Sequence, residues 1–305
     1  MSKDFTLTIL GTSSAIPTRD RFPTSQVVNS YGRYYLLDCG EGTQIQLRKY
    51  HISFQRIDHI FISHLHADHF LGLPGLLSTM DLLGRTRELH IYAPEELEIF
   101  MNGFKQATFT VFKFPIHIHY LPKKKDELLF ENDHITIHAF PLKHRVACHG
   151  FVFTEKPKKP NVKKSAIDQF RLSIEQILTI KNGEDVFDED GNAILKQHLI
   201  TEAPTPKKYA FVTDTLYNEA IIPFIKEVDL LYHEATFAHE MLARAKETGH
   251  STARQAGILA QKANVKKLLI GHYSVRYDDL NVLLEEAKTE FGKVECAVEG
   301  MKIEI

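Results

Sequence analysis

Apolar and polar positions along this chain fall into short strand-like runs that alternate with helix-like ones. Phe5–Leu10, Tyr34–Cys39 and Arg56–Ser63 read as strands, with a helix near Thr43–Tyr50 between the second and third. Leu73–Leu83 reads as a helix, Leu89–Tyr92 as a strand, and Pro94 to about Gln106 as another helix. From Phe114 to Phe153 the pattern is almost wholly β, with clear alternation in HITIHAF and GFVFTE. Mixed order then returns: strand Tyr209–Thr213, helix Tyr217–Glu227, strand Leu230–His233, helix Thr252–Ala263 and strand Lys267–Ile270. A helix at Asp279–Thr289 and strands at Val294–Val298 and Met301–Ile305 complete the series. Two β-rich halves, each followed by helices, predict an α/β fold with two sheets face to face and helices outside.

One segment, Glu155 to Lys208, breaks this rhythm. It opens with lysines and prolines (EKPKKPNVKK), continues through a weakly amphipathic stretch at Ile167–Ile180, and turns acidic at GEDVFDEDG. An insertion of this length between core strands is uncommon without a function of its own, and a tolerated surface excursion is the alternative. The expected organisation is therefore a single domain over 1–305 with an inserted arm at 155–208.

Composition narrows the class. With 305 residues, 43% hydrophobic and 25% charged, the chain has the profile of an ordinary soluble globular protein with a sizeable core. The N-terminal MSKDFTLTILG lacks the long apolar region of a signal peptide, and no apolar run approaches the roughly 18–20 residues of a membrane span. Cys39, Cys148 and Cys296 are odd in number and scattered, which argues against a disulfide framework and for a reducing cytoplasm. A net charge of −2 gives no support to general nucleic-acid binding, so any RNA affinity must come from local patches. The unusual figure is 17 histidines.

The sharpest chemical signal is Ser63-His64-Leu65-His66-Ala67-Asp68-His69, directly after the apolar strand IDHIFI. Four ligands of imidazole and carboxylate type crowd into six positions, a donor set that suits zinc. A strand ending in a tight loop can splay His64 and His66 to one metal and Asp68 and His69 to a second. Further ligands must come from afar, and three candidates each follow an apolar strand: His144 after HITIHAFPLK, Asp214 after YAFVTD, and His272 after KKLLIGH. Asp214 is the natural bridge, because one carboxylate can reach two ions. His149 lies close enough to His144 to compete with it. His117 and His119 alternate in a strand without a carboxylate partner and read as one polar sheet face.

HLHADH with distant His, Asp and His ligands resembles the metallo-β-lactamase superfamily. LLDCGEGTQ at Leu36–Gln44, FISHLHADH followed by GLPGLL, FVTDT, HEATF at His233–Phe237, HSTARQA at His250–Ala256 and GHYSVRY at Gly271–Tyr277 resemble the ribonuclease Z family in particular. The resemblance implies a four-layer αββα sandwich and a zinc-dependent endonuclease that removes the 3′ trailer from precursor tRNA. It implies two Zn2+ per subunit, one on His64, His66 and His144, the other on Asp68, His69 and His272, with Asp214 shared. Such a pair clamps a phosphodiester and holds a hydroxide for in-line attack. Asp68 would also take the proton of the attacking water, and His250, oriented by Glu234, would protonate the departing 3′ oxygen.

The same resemblance implies that the arm grips tRNA, with Lys156, Lys158, Lys159, Lys163 and Lys164 as phosphate contacts; a solvated lysine run is the alternative. RLSIEQILTIKNG stands where many such arms carry a Gly-Pro-rich tip, and Phe22 replaces a usual asparagine in the N-terminal loop that retains Arg19 and Arg21 as candidate sensors of the tRNA 3′ end. A homodimer is likewise implied. The motifs also admit a different hydrolase on the same scaffold, acting on a thioester, lactone or small phosphodiester, or an RNA-binding module with structural zinc. HEATF, HSTARQA and the arm favour the nuclease.

Overall fold

Sixteen strands carry the fold among the residues described by the computed structural model, which are 5–123, 125–187, 191 and 193–305. They run β1 (Phe5–Gly11), β2 (Ser25–Ser30), β3 (Arg33–Leu37), β4 (Ile57–Phe61), β5 (Leu89–Ala93), β6 (Ile116–Tyr120), β7 (Glu127–Glu131), β8 (Ile135–Leu142) and β9 (Cys148–Glu155). Two-residue strands β10 (Val186–Phe187) and β11 (Ala193–Ile194) precede β12 (Lys208–Val212), β13 (Leu230–Glu234), β14 (Leu268–Gly271), β15 (Val294–Cys296) and β16 (Lys302–Glu304). Two seven-stranded mixed sheets result, ordered β16-β1-β2-β3-β4-β5-β6 and β15-β14-β13-β12-β9-β8-β7.

Strand alternation sorts the side chains into three apolar interfaces, those of a four-layer αββα sandwich. Leu7, Ile9, Val28, Tyr35, Leu37 and Phe61 of the first sheet face Phe151, Phe153, Tyr209, Phe211, Tyr232 and Leu269 of the second. The opposite faces pack on helices: Leu36, Ile60 and Ile91 against Leu47, Leu73, Leu77 and Leu97, and Ala210, Leu231 and Ile270 against Ala256, Leu259 and Leu283. Each fully buried Leu, Ile or Phe contributes roughly 1.5–3 kcal/mol of transfer free energy before entropy is counted. Strands β3 to β6 run parallel, as do β12 to β15, so their C-terminal ends gather on one side of each sheet. Loops at those ends are where α/β folds place ligands.

Three elements differ from the sequence expectation. β2 has no strand assignment there, because four of its six residues are polar (SQVVNS). Gln26 is nevertheless buried, and its Oε1 accepts from Tyr209 Oη across the sheet interface. The helix expected over Tyr217–Glu227 shrinks to a 3-10 turn at Glu219–Ile221 and a single turn at Ile222–Ile225. Pro223 starts that turn, and Glu227 adopts φ +56. A helix at Leu242–Thr248 is also present, ended by Gly249 at φ +83.

The chain divides into two compact units, one running to Thr154 and resuming at Lys207–Ile305, the other Glu155–Pro206. The inserted unit has its own small core of Ala166, Leu172, Ile180, Val186 and Leu199. Its amphipathic stretch is two helices, Lys164–Phe170 and Ile174–Lys181, separated where Arg171 turns left-handed. Ser173 starts the second with a capping box to Gln176. Asp188, Glu189 and Asp190 of the acidic stretch lie outside the described residues.

Candidate metal centre

After β4 the chain turns through Ser63–His66 into a short helix, Ala67–Phe70, which presents Asp68 and His69. Backbone crowding fixes this turn: a Cβ on Gly72 would lie 2.1 Å from Gly40 O. Two non-glycine residues at the centre, Asp38 (φ +54) and His272 (φ +59), adopt left-handed backbone, a strain that clusters at functional sites. The other residues arrive on the ends of β8 (His144), β12 (Asp214), β13 (Glu234) and β14 (His272).

Two quartets form. His64 Nε2 and His144 Nε2 lie 3.0 and 3.1 Å from His66 Nδ1, and 3.6 and 3.7 Å from Asp214 Oδ2. On the other side, His69 Nε2 and His272 Nε2 lie 3.4 and 3.5 Å from Asp68 Oδ2, and 3.3 and 3.1 Å from Asp214 Oδ1. Each oxygen of Asp214 thus faces a different set. A tetrahedral zinc with bonds of about 2.0–2.1 Å has ligand–ligand edges of roughly 3.3–3.4 Å, so both quartets have the spacing such an ion needs. His69 Nε2 and His272 Nε2 are buried with no hydrogen-bond partner, an arrangement a cation between them and the carboxylates would satisfy. The residues present therefore fit a two-metal site.

Outer partners hold four of these rings with Nδ1 turned away from the centre. His144 Nδ1 donates to Gly249 O at 2.8 Å, and His69 Nδ1 to Asp38 Oδ2 at 2.7 Å. His64 Nδ1 sits 3.0 Å from Ser63 Oγ, whose own proton goes to Asp38 Oδ2 at 2.9 Å. Asp38 thereby orients one ring directly and a second through Ser63. His272 Nδ1 lies 2.9 Å from Thr236 Oγ1. A Cβ on Gly249 would press to 2.8 Å from His144 Nδ1, so glycine is needed there for the close approach as well as for its φ. Such partners set the tautomer and raise ligand basicity.

Charges are balanced for a cation. Burial holds His64, His66 and His144 below the ordinary histidine range, which keeps them neutral. Burial opposes ionisation of Asp68 and Asp214, but the surrounding imidazoles outweigh it and hold both carboxyls well below the usual range. His69, although buried, is pushed well up by Asp214, Asp68 and Asp38. Neutral rings at His64, His66 and His144 beside ionised carboxylates are the protonation states that metal ligation requires, and the proton that the three carboxylates draw onto His69 is one that a bound cation would displace.

Beside the quartets, His250 Nδ1 lies 3.0 Å from Glu234 Oε1 and 3.9 Å from Asp214 Oδ2. Glu234 is fully buried and receives Thr215 N–H on Oε1 and the Thr236 hydroxyl on Oε2. Burial alone would lower His250, but Glu234 and Asp214 overcome it and raise its pKa to about 9. An imidazolium next to a two-metal centre can give a proton to a leaving oxygen.

The chain is 43% identical over 302 residues to "Ribonuclease Z" of Parabacteroides distasonis, covering 99% of both proteins, and 42% identical to "Ribonuclease Z" of Bacteroides fragilis with the same coverage. It belongs to the ribonuclease Z family. The crystal structure of the human tRNase Z short form (ELAC1) superimposes with a TM-score of 0.71 at 27% identity over 98% of both chains. The metallo-β-lactamase fold protein YhfI of Bacillus subtilis does so with a TM-score of 0.70 at 20% identity, which bears on fold alone. The family described as "Anti-Pycsar protein Apyc1" matches residues 5–150, less than half of the chain.

Not every candidate residue of this ribonuclease Z family member lies at the centre. Arg19 is exposed and lines a cavity of about 520 Å³ with Arg21, Thr12 and Glu299. Arg21 has a structural contact as well: its Nη2 donates to Tyr277 O at 2.8 Å, and its guanidinium lies over the Tyr273 ring. Glu299 fixes the same loop by accepting from Thr12 and Phe22 N–H. His149 points away, its ring donating to Pro122 O at 2.6 Å. His117 and His119 stack on His90 on one sheet face, with ring centroids 5.1 and 5.2 Å apart. Three arm lysines are engaged within the inserted unit: Lys158 with Glu155, Lys159 with Asn182 Oδ1 at 2.6 Å, and Lys163 with His198 O at 3.1 Å. Sequence reasoning missed Asp38, Ser63, Thr236 and Gly249, although the first three lie in LLDCGEGTQ, FISHLHADH and HEATF and the fourth directly precedes HSTARQA.

Proposed function

We propose that this chain, a metal-dependent tRNA 3′-processing endonuclease by family, cuts precursor tRNA at the centre built by His64, His66, Asp68, His69, His144, Asp214 and His272. The observation that carries the assignment is Asp214, whose two oxygens each face a separate imidazole set at 3.1–3.7 Å. Two Zn2+ fit this donor set, and when bound they supply Lewis acidity toward the scissile phosphate and make a water acidic enough to act as nucleophile. The chain's own groups do the rest. Asp68, whose Oδ2 accepts Ala15 N–H at 2.7 Å, takes a proton from the attacking water in this reading. Glu234 holds His250 by Nδ1, leaving the other ring nitrogen to protonate the departing 3′ oxygen, and buried walls limit bulk water.

The inserted unit and Arg19 serve tRNA binding in this reading, with Arg21 fixing the loop that carries Arg19. Among the described residues no helix is long and apolar enough to cross a membrane, and Cys39, Cys148 and Cys296 are free thiols, in keeping with a cytoplasmic enzyme. A homodimer rests on family resemblance only, and sedimentation at a monomer's mass would end it. The test of function is cleavage of precursor tRNA by the zinc-loaded protein, with a lactone and a thioester alongside. Endonucleolytic removal of the 3′ trailer, absent after chelation, is expected. Turnover of the small esters with intact precursor would overturn the reading.

A further inference from the structure

Thr236 closes the HEAT block, is buried, and touches both halves of the machinery. Its Oγ1 lies 2.6 Å from Glu234 Oε2, 2.9 Å from His272 Nδ1 and 3.4 Å from His250 Nδ1. A hydroxyl has one proton to give. Glu234 is an ionised carboxylate that can only accept, so that proton lies on the 2.6 Å bond. The hydroxyl oxygen is then an acceptor alone, and the group 2.9 Å away must be His272 Nδ1–H. In its neutral form His272 then carries its proton on Nδ1 and turns the Nε2 lone pair to the side of Asp214 Oδ1 and Asp68 Oδ2, as a metal ligand must.

Glu234 completes the argument from its other oxygen. Oε1 receives Thr215 N–H at 2.9 Å and His250 Nδ1 at 3.0 Å, while Oε2 receives the Thr236 amide at 3.2 Å and its hydroxyl. We propose that Thr236 is a positioning residue through which Glu234 sets the metal-facing tautomer of His272, while the same carboxylate orients the candidate acid His250 directly. The inference rests on the metal reading above. It makes Glu234, which is not in either quartet, a determinant of metal affinity.

The test uses chelator-stripped full-length protein, Zn2+ affinity by competition with a chromophoric chelator, and the visible absorption of the Co2+-substituted form. Thr236→Val removes the hydroxyl at constant shape, and should weaken metal binding by about 10–100-fold and alter the Co2+ bands. Thr236→Ser keeps the hydroxyl and should restore both. Glu234→Gln should weaken binding in the wild-type background and add little to Thr236→Val, since both cut one path. Wild-type affinity and spectrum in Thr236→Val would overturn the inference, as would a Ser variant as impaired as Val, which would assign the effect to the methyl group. If Thr236→Val does not fold, undiminished affinity in Glu234→Gln overturns it equally. A wild-type protein that takes up no cation would instead remove the metal reading, and the inference with it.

Discussion

The metal centre and the inserted arm use their polar side chains in opposite ways. At the centre, four candidate ligand rings are held from behind by Ser63, Asp38, Gly249 or Thr236, and the Nε2 atoms of His69 and His272 face the centre with no hydrogen-bond partner. In the arm, Lys158, Lys159 and Lys163 close contacts within their own unit, and the fold consumes groups that looked available for RNA. A site built for tight ligation leaves its functional atoms unsatisfied and locks everything behind them. A site for a large polyanion can hold its charges loosely, because phosphate attraction needs no fixed angle.

The largest expected effect tests the centre. Asp214→Ala removes an oxygen from each quartet at once, so cleavage of precursor tRNA and of an aryl phosphodiester should both be abolished, with metal lost. Assay of both substrates beside metal analysis reads this directly. Retained hydrolysis with two ions bound would mean that Asp214 does not bridge. Next, replacing Lys156–Gln197 with a short Gly/Ser linker should remove precursor-tRNA cleavage and leave the aryl ester untouched, since all seven candidate ligands lie outside that span. Undiminished tRNA cleavage would make the insertion a surface excursion.

His250→Ala should slow tRNA cleavage by roughly 10²–10⁴-fold, the usual worth of general-acid help to a poor leaving group. A sugar alkoxide needs that proton and a nitrophenolate does not, so the aryl ester should be hydrolysed almost normally at unchanged metal content. Equal slowing of both substrates would show that His250 acts on geometry.

The contrast between the regions also explains what the sequence disclosed. The candidate ligands are legible as a cluster because HLHADH packs four donors into six positions and the remaining three each follow an apolar strand, where a loop end can bring them together. Asp38, Ser63 and Thr236 are not legible as site residues, because a buried hydroxyl or carboxylate that orients a ring looks like any polar residue near a strand end. β2 escapes for a related reason: Gln26 is buried with its Oε1 accepting from Tyr209 Oη across the sheet interface, and so polar a run makes a central strand read as a loop. In the arm the lysine run is visible, but which lysines are committed depends on Asn182 and His198, far along the segment.

The smallest expected effect separates the arm lysines from one another. Lys164, exposed at the start of the helix Lys164–Phe170, has no hydrogen bond or ion pair among the described residues, whereas Lys159 is tied to Asn182 Oδ1 at 2.6 Å. If Lys164 meets a phosphate, Lys164→Ala removes one released counterion, and the slope of log affinity against log salt should fall by about one. Lys159→Ala should instead leave that slope nearly unchanged and lower the temperature at which the arm melts, since its ammonium serves the arm's own fold. Titrations of precursor tRNA at several salt concentrations, beside protease-sensitivity profiles of the arm, distinguish the two. Identical slopes for wild type and Lys164→Ala would show that this lysine is solvated, and that the arm's hold on tRNA lies elsewhere on its surface.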